Sequence, residues 1–177
     1  MSASIEMSVA DENLAADDYT GLQALSFSGA SAEIFAAIDA CAYPVLRHSQ
    51  CTINRFDAAK MELTRIYSSN IKKYPVGGIK SKSDKGWGRQ VLLEKRLFVG
   101  EGVAAIKKSF DDYELIIGLG LRSVINIPLV SQNSCLGTLN FLSKDECVTH
   151  KQIVFAQSLG LLAIPGVLAT LPLPPQY

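Results

Sequence analysis

The sequence predicts an α+β domain built on one antiparallel sheet. Three observations lead there. Segments with strand and helix character follow in the order helix, two strands, long loop, strand, two small helices, two strands, helix. The stretch Arg122 to Phe141, RSVINIPLVSQNSCLGTLNF, carries two β-branched and apolar runs around the polar break Ser131-Gln132-Asn133-Ser134, which is a hairpin signal. Apolar residues gather at odd positions of the four main strands, and alternate side chains of a strand face opposite sides of a sheet.

A chain of 177 residues can hold one domain with a real core. A hydrophobic share of 48% with 17 basic and 17 acidic residues describes a soluble globular protein. Zero net charge argues against nucleic acid as a main partner, because neutralising phosphates demands a basic surplus. Cys41, Cys51, Cys135 and Cys147 lack C-x-x-C spacing and are expected as free thiols in a reducing cytosol. The first 30 residues hold Glu6, Asp11, Glu12, Asp17 and Asp18 and no Lys or Arg, unlike a secretory leader. The apolar run Leu159 to Leu171 is shorter than the ~20 residues of a membrane span and is broken by Pro165-Gly166. The expectation is a cytoplasmic protein without a membrane partner.

Residues 1–28 read as a flexible acidic arm, 29–171 as the domain and 172–177 as a Pro-rich tail. A first helix should start with Ser31 as N-cap and Glu33 in its first turn, and kink or end near Pro44. Cys51 to Phe56 and Met61 to Ser69 read as a hairpin around the turn Asp57-Ala58-Ala59-Lys60. Asn70 to Arg96 is a long loop with the basic residues Lys72, Lys73, Lys80, Lys82, Lys85, Arg89, Lys95 and Arg96 against Asp84 and Glu94. Loops of that length are usually functional. Tyr74, Pro75, Trp87, Val91 and Leu92 give it apolar anchors, so it reads as a partly ordered lid. Leu97-Phe98-Val99 is a short strand, followed by a helix through Val103, Ile106 and Phe110 and a second, Asp111 to Leu119, that Gly120 can end. Thr149-His150-Lys151-Gln152 is a capping box opening a last helix to about Leu162, interrupted by Pro165.

The alternation suggests what each sheet face does. Odd positions include Cys51, Ile53, Leu63, Tyr67, Ile125, Ile127, Cys135, Leu139 and Phe141, with Arg55, Arg65 and Ser123 as exceptions. Even positions mix Thr52, Asn54, Thr64, Asn126, Thr138 and Asn140 with Phe56, Ile66, Val124, Leu136 and Leu142. A solvated face would be rich in Lys and Glu, yet Glu62 stands alone there. Short hydrogen-bonding groups on a half-apolar surface suit the floor of a covered pocket, the alternative being an ordinary exposed sheet face.

The element order, with SVINIPLV followed by CLGTLNFLS and with FVGEG ahead of the small helices, resembles the GAF domain family. Ser123, Pro128, Gly137 and Leu139 carry the match, which spans roughly Ser31 to Leu171. The resemblance implies five or six antiparallel strands, terminal helices on one face, and long loops enclosing a small ligand on the other. It also implies homodimerisation through the terminal helices, which suits a last helix apolar nearly all round, the alternative being that Pro165 folds the tail back on its own domain.

Members of that family that hold a bilin covalently or reduce methionine sulfoxide need cysteines in the central loops. None occurs between Cys51 and Cys135. The histidines, His48 and His150, fall away from the expected pocket, and no G-x-S-x-G elbow, zinc-ligand spacing or phosphate-loop fingerprint is present. The basic loop reads either as a solvated, mobile, Lys-rich lid or as the source of one or two cations that close over an anionic ligand, with the Gly100 to Val103 amides as further donors and Arg122 as a contributor or a surface ion pair. The reading is therefore a non-enzymatic sensory module binding a small, anionic metabolite, with no cofactor and no metal. Its candidate ligand-binding residues are Asn54, Thr64, Trp87, Phe98, Ser123, Asn126, Thr138 and Asn140. Two alternatives stand: a small metabolite-modifying enzyme using the same pocket, and a degenerate module serving dimerisation or protein interaction.

Overall fold

A computed structural model describes residues 19–23, 25–27 and 29–171. Strands β1 (Gln50–Asp57), β2 (Glu62–Ser68), β3 (Ile79–Ser81), β4 (Phe98–Glu101), β5 (Ser123–Ser131) and β6 (Ser134–Ser143) form one sheet, ordered β3-β2-β1-β6-β5-β4. Every neighbouring pair is antiparallel. The helices framing it are α1 (Ser31–Leu46), α2 (Gly102–Ser109), α3 (Tyr113–Gly118) and α4 (His150–Leu168).

Local chemistry explains the turns. The Ala59 and Lys60 amides donate to Asp57 Oδ1 and close the β1–β2 turn. Gln132 and Asn133, at φ 47° and 61°, supply the two left-handed residues that a two-residue hairpin needs between β5 and β6. At Gly137 a Cβ would sit 1.9 Å from the Asn54 carbonyl oxygen, so only glycine lets β6 pass β1 this closely.

The odd-numbered face packs on the terminal helices. Ile53, Ile125, Ile127, Leu139 and Phe141 form one buried cluster with Phe35 and Ile38 of α1 and Leu159 and Ala163 of α4. Each such Ile, Leu or Phe side chain contributes about 1.5–3 kcal/mol. The Thr149/Gln152 capping box opens α4 as expected. At α1, by contrast, the N-cap is Ala30, whose amide donates to Glu33 Oε2, while the Ser31 hydroxyl crosses to the Gly166 carbonyl.

Neither proline stops its helix. α1 runs through Pro44 to Leu46, and α4 runs through Pro165 to Leu168, beyond the expected end at Leu162. Each ring deprives the carbonyl four residues earlier, at Ala40 and Leu161, of its donor. All four residues lie on exposed faces, where water can take the freed acceptor. Uninterrupted, α4 is long and apolar enough to cross a bilayer by length and composition, yet Ala156, Leu159, Ala163 and Val167 face the core.

Residues 19–23 and 25–27, at the end of the stretch read as an acidic arm, are helical: Leu22 is buried and the Ser26 hydroxyl donates to the Leu162 carbonyl. The rest of 1–28 and the tail 172–177 lie outside the described residues. The 70–96 loop holds more structure than expected: edge strand β3, a helical turn at Gly86–Gly88 and a π-helical turn at Arg89–Leu93 that buries Val91 and Leu92.

Two bulges break the alternation. Ile53 pairs with Tyr67 but Asn54 pairs with Arg65, so Ile66 is an extra residue in β2. Leu129 pairs with Gly137 but Val130 pairs with Cys135, so Leu136 is the extra residue in β6. Beyond each bulge the faces exchange. Ile66 and Leu136 therefore join the helix-side core, whereas Leu63 and Cys135 pack with Phe56, Val91 and Leu92 on the other face.

Candidate ligand pocket

On the face away from the terminal helices lies a cavity of about 70 Å³, room for a cluster of waters or a small polar molecule. Its floor is the even-numbered face: Thr52, Asn54, Val124, Asn126, Asn140 and Leu142. The 70–96 segment supplies Tyr74, Lys80, Lys82 and Trp87, and Phe110, Asp112 and Ile116 adjoin them in the lining.

The floor is a connected amide network. Trp87 Nε1 donates to Asn126 Oδ1 (2.8 Å), and Asn126 Nδ2 donates to Asn140 Oδ1 (2.7 Å). Asn140 Nδ2 faces the Thr52 carbonyl, Thr52 Oγ1 and Thr138 Oγ1 at 3.1–3.2 Å. Asn54 Nδ2 donates to the same Thr138 hydroxyl at 3.1 Å. None of its side-chain atoms is among those buried without a partner, and inside a protein such a connected network holds its members in place.

The β2 side differs. Gln50 Oε1, Arg65 Nε and Tyr74 OH are buried without a hydrogen-bond partner, and all three residues line the cavity. Arg65 donates through Nη1 to the Pro75 carbonyl (3.0 Å) and lies 5.0 Å from the Tyr74 ring centre. Burial lowers the Arg65 pKa, against the pull of Tyr74 and Asp112. Burial, then Asp112, pushes Tyr74 up to about 12, so its hydroxyl is a neutral donor at physiological pH. Lys80 pairs with Asp112 at 2.5 Å. Lys82 reaches Asp111 at 3.2 Å and lies 5.5 Å from the Trp87 ring centre.

Of the residues expected to bind ligand, Asn54, Trp87, Asn126 and Asn140 line the cavity. Thr138 is wholly buried beneath it and holds Asn54 and Asn140 in place. Thr64 does not line it: the Ile66 bulge turns it to the helix side, opposite Arg55, which reaches the Thr170 carbonyl. Ser123 is buried on the parity of Ile125 and Ile127, also facing the helices. Phe98 backs Phe110 edge-on at 5.9 Å instead of reaching the cavity. The Gly100 to Val103 amides are outside the lining, and Arg122 donates to the Ile117 and Leu121 carbonyls and forms no ion pair among the described residues. Gln50 and Arg65, outside the expected set, also line the cavity. The signal for Arg65 was its charge at an apolar parity position, the mark of a shifted register.

No cysteine lines the cavity. Burial raises the thiol pKa of Cys51, on the helix side, and of Cys135, in the neighbouring apolar cluster. His48 belongs to a separate buried network on the helix side, where its Nε2 lies 2.6 Å from Asp39 Oδ1 and the Tyr67 hydroxyl donates to Asp39 Oδ2 at 2.7 Å.

No family model and no curated protein matches the chain. Solved structures do. The GAF domain of a phosphoenolpyruvate-protein phosphotransferase from Coxiella burnetii superposes with a TM-score of 0.70 at 13% identity, over 90% of this chain and 93% of that one. The corresponding domain from Acinetobacter gives 0.69 at 13% identity, over 92% and 96%. A type II free methionine-R-sulfoxide reductase from Thermoplasma acidophilum gives 0.62 at 14% identity, over 84% and 96%. The six-stranded antiparallel sheet with its helices matches these neighbours over most of their length: the chain has the fold of a GAF domain.

Proposed function

We propose that the protein is a small-molecule-binding sensory module whose ligand, a small anionic metabolite, sits over the asparagine floor. The observation carrying this reading is the set of unpartnered buried groups around one cavity: an acceptor at Gln50, a donor at Arg65 and a hydroxyl at Tyr74. Unpaired buried polar groups cost about 1–3 kcal/mol each, so a molecule that pairs them gains in proportion. Arg65, Lys80 and Lys82 favour a ligand with an anionic group. The module acts by binding rather than chemistry; the neutral thiols and the absence of cysteine from the lining support that part of the reading. Free thiols suit a cytoplasmic setting.

Output passes through a homodimer. α4 exposes Val154, Leu161 and Leu168 at seven-residue intervals, a seam suited to a second copy. Leu161→Glu should turn a dimer into a monomer in analytical ultracentrifugation; a wild-type monomer at high concentration removes this part of the proposal.

Trp87 is the sole tryptophan and lines the cavity, so its emission reports binding. Titration with a panel of small carboxylates, including amino acids, should give a saturable emission change and a rise in melting temperature. Arg65→Met should weaken the response about tenfold or more, the effect of losing one charge-assisted hydrogen bond. A panel that changes neither emission nor melting leaves the interaction-module alternative as the better account.

A further inference from the structure

Next to the polar cavity is a second hollow of about 250 Å³, separated from it by Lys82, Trp87 and Phe110, which line both. Lys82 and Lys85 come from the loop ahead of Trp87, and Lys107 and Lys108 from the last turn of α2. Lysines at a helix C-terminus need no ligand, since they complement the helix dipole. The convergence of a second pair from a separate segment has no such account. Four lysines line one concavity in a chain whose net charge is zero. Their carboxylate on the spot is Asp111, which is 92% exposed and pairs with Lys82 alone. Among the described residues Lys85, Lys107 and Lys108 form no salt bridge, although the side chain of Lys82 is only 11% exposed. Ser83 and Ser109 also line the hollow.

We propose that this hollow binds a phosphate-type dianion, either free phosphate or the phosphate group of a small phosphorylated molecule. Lysine ammonium groups are compact point charges, each with three donors, and several can share the oxygens of one tetrahedral anion. The loop is shaped to hold them: a Cβ at Gly88 would lie 2.1 Å from the Ser83 carbonyl oxygen, so the turn carrying Lys85 closes against itself. This site goes beyond the polar cavity and does not depend on it.

The test uses the intact chain and Trp87 emission, titrated at constant ionic strength with inorganic phosphate, then phenyl phosphate, with chloride as the balancing salt. Isothermal calorimetry covers binding that leaves emission unchanged. Both ligands should saturate, and Lys107→Ala with Lys108→Ala should weaken them about tenfold. Removing the exposed Lys72 and Lys73, which lie outside the hollow, should leave affinity unchanged. Tighter binding of phenyl phosphate assigns the site to phosphorylated molecules; equal affinity assigns it to the free anion. Arg65→Met should spare the phosphate response, which separates this site from the carboxylate cavity. Absence of saturation by both methods, or equal weakening by the two lysine pairs, overturns the proposal.

Discussion

The two sides of the polar cavity are built from similar residue types and are opposite in their hydrogen-bond accounts. On the β5–β6 side, Trp87, Asn126, Asn140, Thr138 and Asn54 bond to one another. On the β2 side, Gln50, Arg65 and Tyr74 each keep a buried polar atom without a partner. The contrast separates scaffold from recognition. Asparagines that spend their donors and acceptors on each other set the shape of the floor, and a ligand would have to displace those bonds to use them. Groups with nothing to lose are the ones a ligand can reward. Substitutions on the two sides should therefore divide: floor variants lose stability, and β2-side variants lose response.

The largest expected effect is at Asn140, the node of the floor. Asn140→Leu takes the acceptor from Asn126 Nδ2 and the donor from the Thr52 groups, leaving buried polar atoms unmet. Urea denaturation should show a loss of about 3 kcal/mol. A loss below about 1 kcal/mol would show that these bonds are not cooperative and would dissolve the distinction between the two sides. Trp87→Phe is the milder version. It removes the donor to the buried Asn126 Oδ1 and part of the contact with Phe110, and should cost about 1–2 kcal/mol by the same measurement.

How far each side was legible in the sequence follows from the same geometry. β5 keeps strict alternation up to Leu129, so Asn126 and the helix-facing isoleucines were readable from parity. The β2 side was hidden by one extra residue, Ile66, which exchanges the faces of everything preceding it in the strand. Unbroken parity puts Thr64 on the cavity face and Arg65 on the helix face, the reverse of the observed arrangement. A bulge residue has no composition of its own; Ile66 is as plausible a pocket-wall residue as a core one. The misplaced charge at Arg65 was the available clue. The prolines misled for a different reason. Their cost depends on whether water reaches the freed carbonyl, and that is decided by which helix face the tertiary fold leaves exposed.

Arg65→Met sharpens the comparison from the other side. Replacing a buried cation by an apolar chain of similar length is often neutral or stabilising, and the Pro75 residue whose carbonyl it binds is exposed. Stability should change by no more than about 1 kcal/mol in either direction, while the emission response to carboxylates falls. A large destabilisation without any change in response would make Arg65 a structural residue and leave the β2 side without a recognition role.

The most specific effect, silent below pH 10, concerns Tyr74. Its hydroxyl ionises at about 12 in the folded chain against an ordinary 10.0, chiefly because burial disfavours the phenolate and secondarily because Asp112 is near. A folded-state pKa raised above the unfolded one means that the unfolded chain gives up its proton first as pH rises. The stabilising contribution is complete below pH 10, declines between pH 10 and 12 and is exhausted above that window. Tyr67, pushed up further by burial and by its bond to Asp39, responds in the same direction, so wild type alone cannot report on Tyr74. The informative quantity is the stability difference between wild type and Tyr74→Phe, which should be constant up to pH 10 and shift against wild type from there to 12. A difference that stays flat through that window would mean the hydroxyl is solvated in the free protein, and Tyr74 would then belong with the satisfied side of the cavity.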